Sequence, residues 1–482
     1  MEKLVTSKGV FLRAGDKVAL FQPESMRLFG IDIKNGYTSL CDIAAEITQE
    51  TDSVATSTSV AIDDSLYLSR RQAILPMMLS EDTLKTARIK PAISRLTLNI
   101  SNACNLWCAY CYADHGQYHS TKSQMPADQT EAIIERVLTL YSGAEIVHYF
   151  GGEPLLNLPA INASGLCLEK AVVSGKIPQL PKFVATTNGT ISSDRVIETL
   201  KRWGIELTVS WDGPKEIQDS GRPMTGRGSS YQKVIKSLER FQNNSIPHSI
   251  ECTFNASHIR AGVSIIDLMD FFSERTGQRI FHIAPSSTPE PNAYLADNGQ
   301  KIFRIAQAEK NEIALDMDTI IQLYRDATRY TVRNFLRGSG PLLEFAHRVI
   351  EQVLMRKPSL TYCPAFFNQL SVAADGSVFP CFMFIGDPKF NLGNLLTDEF
   401  PTKNGSAVFK RYFEDFGFAP LGTDSWYKGL FGGCVAGDYI STNTLNTRYM
   451  APMYEAIIEE CLIELACSEQ MSMPLQHEEA VY

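Results

Sequence analysis

Three cysteines fall within eight residues in "SNACNLWCAYCYADHG", which runs from Ser101 to Gly116: Cys104, Cys108 and Cys111, spaced C-x3-C-x2-C. Thiolates at this density hold soft metals such as zinc or iron. A zinc site or a complete iron–sulfur cage usually takes four protein ligands. A four-iron cubane held by three thiolates leaves one iron open. That iron can chelate a small molecule through an amine and a carboxylate. The alternative is a structural zinc knuckle or an electron-carrying cluster, completed by a distant ligand such as His115 or His119.

Further polar motifs follow: "GGEP" with Gly151, Gly152 and Glu153, then "TNG", then "SWDGP" from Ser210, then "GRPMTGRG" with Arg222. The elements that must position them alternate. Short β-rich runs appear at 96–101, 146–150, 183–187, 205–211, 249–255 and 279–285, without clean alternation, as strands buried on both faces should read. Helical patterns lie between them. "DQTEAIIERVLTLYS" is expected to open with Asp128 as its N-cap. "SSDRVIETLKRWG" has Ser before an acidic first turn and Gly204 past its end. Six β-α repeats predict an α/β fold, a partial (β/α)6 TIM-like barrel. The cysteine loop, "GGEP", "TNG" and "SWDG" each fall at the C-terminal end of a strand, where ligands gather in such folds.

C-x3-C-x2-C with the aromatic Tyr110 before its last cysteine, and "GGEP" after the next strand, resembles the radical S-adenosylmethionine superfamily. The resemblance implies a [4Fe-4S] cluster that holds S-adenosylmethionine (SAM) by its amino-acid end. Reductive cleavage of the sulfonium would release a 5′-deoxyadenosyl radical. The chemistry belongs to the cofactor, and the protein supplies binding and orientation. The resemblance further implies that the backbone of Gly151, Gly152 and Glu153 receives the cofactor's ammonium, and that Tyr110 lies against the adenine. Ser210 and Arg222 are similar to residues of the branch that modifies peptides and proteins. There they bind the ribose and carboxylate region, a role that suits the arginine fork. Ile283 would line the adenine pocket. Asp212, read alone, need only hold a strand-end turn. No motif marks a catalytic acid or base.

"CPAFFNQLSVAADGSVFPC" places Cys363, Gly376 and Cys381 around an Asp-Gly hairpin turn. With "NLGNLL" it resembles the start of a SPASM domain, which carries auxiliary clusters. The full pattern has more cysteines, and Gln369 stands where some relatives carry one. Two auxiliary clusters need about eight thiolates. The region offers five, so the expectation is one shortened, twitch-like site of Cys363, Cys381, Cys434 and Cys461, with Cys467 as packing or a spare thiol. A degraded, empty site is the alternative. Enzymes that convert a sulfatase cysteine or serine to formylglycine have Asp after the cysteine matching Cys381. Phe382 here disfavours that reaction.

Within the first ninety residues, "VALFQPESMRLFGIDIKNGYTSLCDIAAEI" (18–47) reads as strand, turn, strand, helix. It is similar to a peptide-binding module on which a leader peptide adds as an edge strand; a ligand-free capping domain is the competing reading. Domain limits are expected at 1–90, 91–300 (barrel), 301–355 (helical bridge) and 356–482 (cysteine-bearing SPASM/twitch-like domain). The chain has 482 residues, 44% hydrophobic and 21% charged, with a net charge of −9 and no basic patch, which excludes nucleic acid as a partner. No run approaches the ~20 apolar residues of a membrane span, and no signal peptide is evident, so a cytoplasmic protein is expected. Of the 11 cysteines, Cys41, Cys167 and Cys252 sit singly in apolar segments and read as small buried hydrophobes. The expected function is modification of a peptide or protein by a thioether, a carbon–carbon or carbon–oxygen crosslink, or epimerisation, with electrons from a flavodoxin or ferredoxin. A small-molecule or cofactor-building radical enzyme, or a non-catalytic iron–sulfur or zinc protein, stands as the alternative.

Overall fold

The computed structural model describes residues 1–6, 9–23, 26–31, 90–118, 120–121, 123–286, 317–357, 365, 368–397, 400, 427, 430, 434–442 and 450–468. Cys41, Cys363, His119 and the expected N-terminal helix lie outside the described residues. The chain opens with an antiparallel meander of β1 (Glu2–Thr6), β2 (Gly9–Ala14), β3 (Lys17–Gln22) and β4 (Arg27–Ile31). Six parallel strands follow in sequence order: β5 (Ile93–Ser101), β6 (Ala144–Gly151), β7 (Lys182–Thr187), β8 (Glu206–Ser210), β9 (His248–Phe254) and β10 (Ile280–Pro285). Parallel neighbours require crossovers. These are α1 (Ala127–Leu140), α2 (Leu158–Val173), α3 (Asp194–Trp203), α4 (Lys215–Gly221), α5 (Ser230–Asn243), α6 (Ala256–Arg260) and α7 (Ile265–Thr276). The result is the expected α/β partial barrel.

The helix boundaries follow local chemistry. Ser264 and Asp267 form a reciprocal capping box on α7, and Gly277 closes it in the left-handed region at φ 70°. The expectation at α1 is corrected: Pro126 occupies the N-cap and Asp128 lies inside the first turn, where it still favours the helix dipole. Strand burial also differs from expectation. Burial alternates along β7 to β10, with residues such as Phe281 and Ile283 fully buried and His282 and Ala284 half-open. One face packs on helices, while the other lines the lumen of an open barrel.

The sheet does not stop at six strands. After α8 (Met317–Leu336), β11 (Leu342–Leu343) adds parallel to β10, and α9 (Glu344–Met355) follows. At the other edge β12 (Gln369–Val372) adds parallel to β5, and the hairpin continues through β13 (Ser377–Phe379) and β14 (Gly393–Asn394). Gly376, at φ 84°, makes the expected turn. Helices α10 (Val435–Thr442) and α11 (Ala451–Ala466) close the described chain. An ionic seam joins α11 to α8, with Arg325–Glu459 at 2.6 Å and Arg329–Glu460 at 2.7 Å. On its other side α11 meets the meander through Lys17–Glu464 at 2.6 Å and Lys3–Glu455. Among the described residues no helix is long and apolar enough to cross a membrane.

Candidate active site

The cysteine loop leaves the end of β5 and folds onto the turn after β6. Gly152 N–H donates to the Ser101 carbonyl at 2.7 Å, and Glu153 N–H to that of Ala103 at 2.9 Å. The approach is close enough to require glycine. A Cβ on Gly152 would lie 2.5 Å from the Ala103 oxygen, and one on Gly116 2.4 Å from Gly152 Cα. Asp114 and His115 hold positive φ (47° and 56°) so that the loop can double back over its own cysteines. Strain at such positions concentrates at functional sites. Trp107, 44% exposed, stacks on His115 with ring centroids 3.6 Å apart.

The thiols share a half-buried, amide-rich setting. Burial pushes the Cys104 thiol up to about 11, with the Glu153 charge adding to it. Burial also raises Cys108 and Cys111, opposed at Cys108 by the Arg222 guanidinium and at Cys111 first by the backbone N–H groups of Ala113, His115 and Gly116. Metal binding displaces such protons, and the same amides and cation then stabilise thiolate sulfur. Asn188, in the "TNG" turn after β7, donates toward Cys104 Sγ at 3.6 Å and to Asn105 at 2.8 Å. Glu153 is buried. Its carboxylate accepts from Leu155 N–H, Thr187 Oγ1 and Asn188 N–H at 2.7–2.9 Å. Burial pushes its pKa up to about 7 against those bonds. The Glu153 side chain therefore ties two strand ends together, leaving the Gly-Gly backbone for a ligand.

The remaining residues expected at the cofactor divide. Ser210 ends β8 on the lumen side. Tyr110 and Arg222 converge on Asp212, which is 0% exposed. Tyr110 Oη donates to Asp212 Oδ2, Arg222 Nε lies 3.1 Å from the same oxygen, and Thr253 N–H donates to Oδ1 at 3.2 Å. The backbone of Asp212 is itself held by Gln218 and His258 at 2.8 Å. Sequence reasoning gave Asp212 only a turn; the structure makes it the anchor of both neighbours. Ile283 is a correction. It is in phase with Phe281, which packs on Phe272 of α7, so its side chain faces the helices and not an adenine pocket.

In the second cysteine set, Cys381 is buried just after β13, and Cys434 precedes α10, where its sulfur accepts from Gly437 N–H at 3.3 Å. Helix α10 packs on the turn Phe382–Phe384, and Tyr439 donates to Asp387 at 2.8 Å, so these two cysteines belong to one corner. Cys461 does not join them there. It sits at 0% exposure midway along α11, with its thiol directed at the Ala346 carbonyl of α9 at 3.6 Å. A helix buried on nearly every side accounts for that cysteine by packing. Cys467 ends the same helix against the Val18 carbonyl, and Cys167 and Cys252 are buried. Phe382 packs on Phe150 at 4.1 Å.

The sequence profile of the Radical SAM superfamily matches residues 98–260. Those residues form a radical S-adenosylmethionine domain. The radical SAM domain spans the cysteine loop, the Gly-Gly turn and the Asp212 network. Among curated relatives, the chain is similar to the cysteine-type anaerobic sulfatase-maturating enzyme of Clostridium perfringens, 22% identical over 77% of this chain and 96% of the relative. It is also similar to the radical SAM cyclopropyl synthase TigE of Paramaledivibacter caminithermalis, 23% identical over 60% of this chain and 57% of the relative. The solved structure of native anSMEcpe with bound AdoMet has the same fold, with a TM-score of 0.59 at 20% identity over 78% of this chain and 99% of that one. The residues present fit the cofactors of the radical SAM domain. Cys104, Cys108 and Cys111 share one loop within electrostatic reach of one another, although among the described residues no three such side chains are drawn together into a closed metal cage, and the Gly151–Gly152 backbone lies against that loop.

Proposed function

We propose that the chain uses S-adenosylmethionine reductively to modify a residue of a peptide or protein, forming a thioether, a carbon–carbon or carbon–oxygen crosslink, or an epimer. The observation that carries it is the docking of the three-cysteine loop onto the Gly151–Gly152 turn at the rim of an open, polar lumen. Cys104, Cys108 and Cys111 would hold the cluster, the Gly-Gly backbone the amino-acid end of the cofactor, and Tyr110, Ser210 and Arg222 its nucleoside and carboxylate. When bound, cluster and cofactor would supply a carbon-centred radical that removes a hydrogen atom. The electron donor on this reading is a flavodoxin or ferredoxin, and the setting cytoplasmic.

Two observations support a peptide over a small molecule. Similarity to the sulfatase-maturating relative extends over most of both chains, whereas an Fe-coproporphyrin III synthase of Methanosarcina barkeri matches only 44% of this chain. Among the described residues the meander also ends in an edge: β4 pairs only with β3, and Phe29 on it is 43% exposed. An edge strand of this kind accepts an extended peptide. A single auxiliary cluster would use Cys381 and Cys434, with Cys363 as a third ligand.

The test is anaerobic reconstitution followed by SAM and dithionite. Release of 5′-deoxyadenosine is expected, with about eight irons per chain if both cysteine sets load and about four if one does. No 5′-deoxyadenosine would sink the enzymatic reading. Because α11 rests on the meander, the leader-binding claim is tested by Leu28→Pro rather than by truncation. Peptide modification is expected to fall while cofactor cleavage persists.

A further inference from the structure

Among the described residues two histidines face the barrel lumen, and the fold treats them oppositely. His148, on β6, is buried, and its Nε2 is engaged with Thr186 at 3.0 Å. Burial first, and Arg95 second, lower its proton affinity to about 3. It stays neutral, with Nε2 engaged and its buried Nδ1 without a hydrogen-bond partner among the described residues.

His282, on β10, is in a different position. Its Nδ1 lies 2.6 Å from Glu344 Oε2, at the first turn of α9. The other oxygen of Glu344 is 2.5 Å from Arg348 Nη2, so the carboxylate is fixed from behind. The edge of Phe345 closes one side of the ring at 5.0 Å. With Nδ1 taken, Nε2 is the nitrogen without a hydrogen-bond partner among the described residues. An imidazole oriented by a carboxylate on its far nitrogen is the arrangement that makes a general base. The charged groups facing it are Glu344 and Arg348 from α9 and Glu251 from β9. Burial alone would lower its proton affinity; the Glu344 hydrogen bond, with the charges of Glu251 and Glu344, outweighs that and raises it.

Register places this group beside the cofactor region. His282 pairs with Glu251, and Glu251 with Ser210, on three adjacent parallel strands. Partners across a parallel sheet share a face, and strands lie about 4.8 Å apart, so His282 stands about 10 Å from Ser210 across the lumen wall. A substrate lying against a cofactor at Ser210 would pass in front of it.

We propose that His282, held by Glu344, is the proton acceptor that the barrel presents to its substrate. An X–H bond of the substrate nucleophile breaks heterolytically, the electron pair stays on X, and the proton goes to His282 Nε2. The step consumes no electron. It rests on the proposed function, because it needs a substrate in the lumen.

Carbethoxylation by diethyl pyrocarbonate reads the neutral imidazole. The anaerobically reconstituted enzyme is labelled from about pH 5.5 to 8.5, bracketing the ordinary histidine value, and His282 is followed by peptide mass spectrometry. Labelling with a midpoint above the ordinary 6.5 is expected. Glu344→Gln keeps the acceptor and removes the charge, so the midpoint should move down. Each unit of that shift raises the rate at the acid end about tenfold. An unlabelled His282, a midpoint at or below the ordinary value, or one unmoved by Glu344→Gln overturns the proposal. Failure of the wild-type enzyme to release 5′-deoxyadenosine would instead overturn the proposed function and leave the labelling pattern as it is.

Discussion

Asp212 provides the sharpest energetic test of the site. Its side chain is 0% exposed and that of Arg222 only 8%. Asp212→Ala therefore strands a charged guanidinium in a buried setting. Breaking a buried pair in this way costs about 3–5 kcal/mol. The Tyr110 hydroxyl and Thr253 amide lose their acceptor in the same step, inside one network, so their losses do not simply add. In a domain of about 200 residues, at about 2–4 °C per kcal/mol, melting should fall by about 6–20 °C. Differential scanning calorimetry of the metal-free protein measures it. The double change Asp212→Ala with Arg222→Met removes both charges and should recover most of the loss. SAM affinity should fall at least about tenfold in the single variant, as Tyr110 and Arg222 lose their anchor. The reasoning is refuted if Asp212→Ala melts within about 1 °C of wild type, or if the double variant is no more stable than the single one.

Three further outcomes are expected. Gly116→Ala, whose Cβ would lie 2.4 Å from Gly152 Cα, should abolish iron loading at the first cysteine set. Gly175→Ala, equally left-handed but with nothing within 4 Å, should cost only about 1–2 kcal/mol and leave iron content unchanged. Cys434→Ala should lower iron by about one cluster, whereas Cys461→Ala should leave iron unchanged and cost about 1 kcal/mol of stability. The His282–Glu344 pair sets a pH window. Burial pushes Glu344 up, but His282 outweighs it and holds the carboxyl at about 2 against an ordinary 4.5, while His282 itself is raised above 6.5. The carboxylate's contribution is present above 4.5 and lost as pH falls toward 2. The imidazolium's is full below 6.5 and lost as pH rises through its raised value. The melting difference between wild type and the Glu344→Gln, His282→Gln double variant should therefore peak between those limits.

Much of the site was legible because it is local. Cys104, Cys108 and Cys111 lie within one loop, and the Gly-Gly turn can be placed as soon as the strand before it is recognised. The six-strand order followed from alternating strand and helix patterns. What sequence could not give was pairing across distance. Asp212 meets Tyr110 from 102 positions away, and an Asp-Gly turn already accounts for an aspartate there. Ile283 was misplaced by one residue of a period-two strand, which exchanges lumen for core. Cys461 looked like a ligand because cysteines are counted before they are placed, and nothing in the spacing shows that α11 is enclosed on almost every side. The hairpin β12–β14 read as part of a separate domain, yet it extends the barrel sheet, since pairing with β5 joins residues 274 apart at Ser94 and Asn368. His282 carried no motif, because its partner Glu344 comes from beyond the barrel's last crossover.

The central claim is that the first cysteine set leaves one metal position for the cofactor. Electron paramagnetic resonance of the reduced, anaerobically reconstituted protein, recorded with Cys434→Ala so that only that centre contributes, tests it most directly. Adding S-adenosylmethionine is expected to shift the cluster signal. A spectrum indifferent to the cofactor, or one showing every metal site already ligated by side chains, would contradict it.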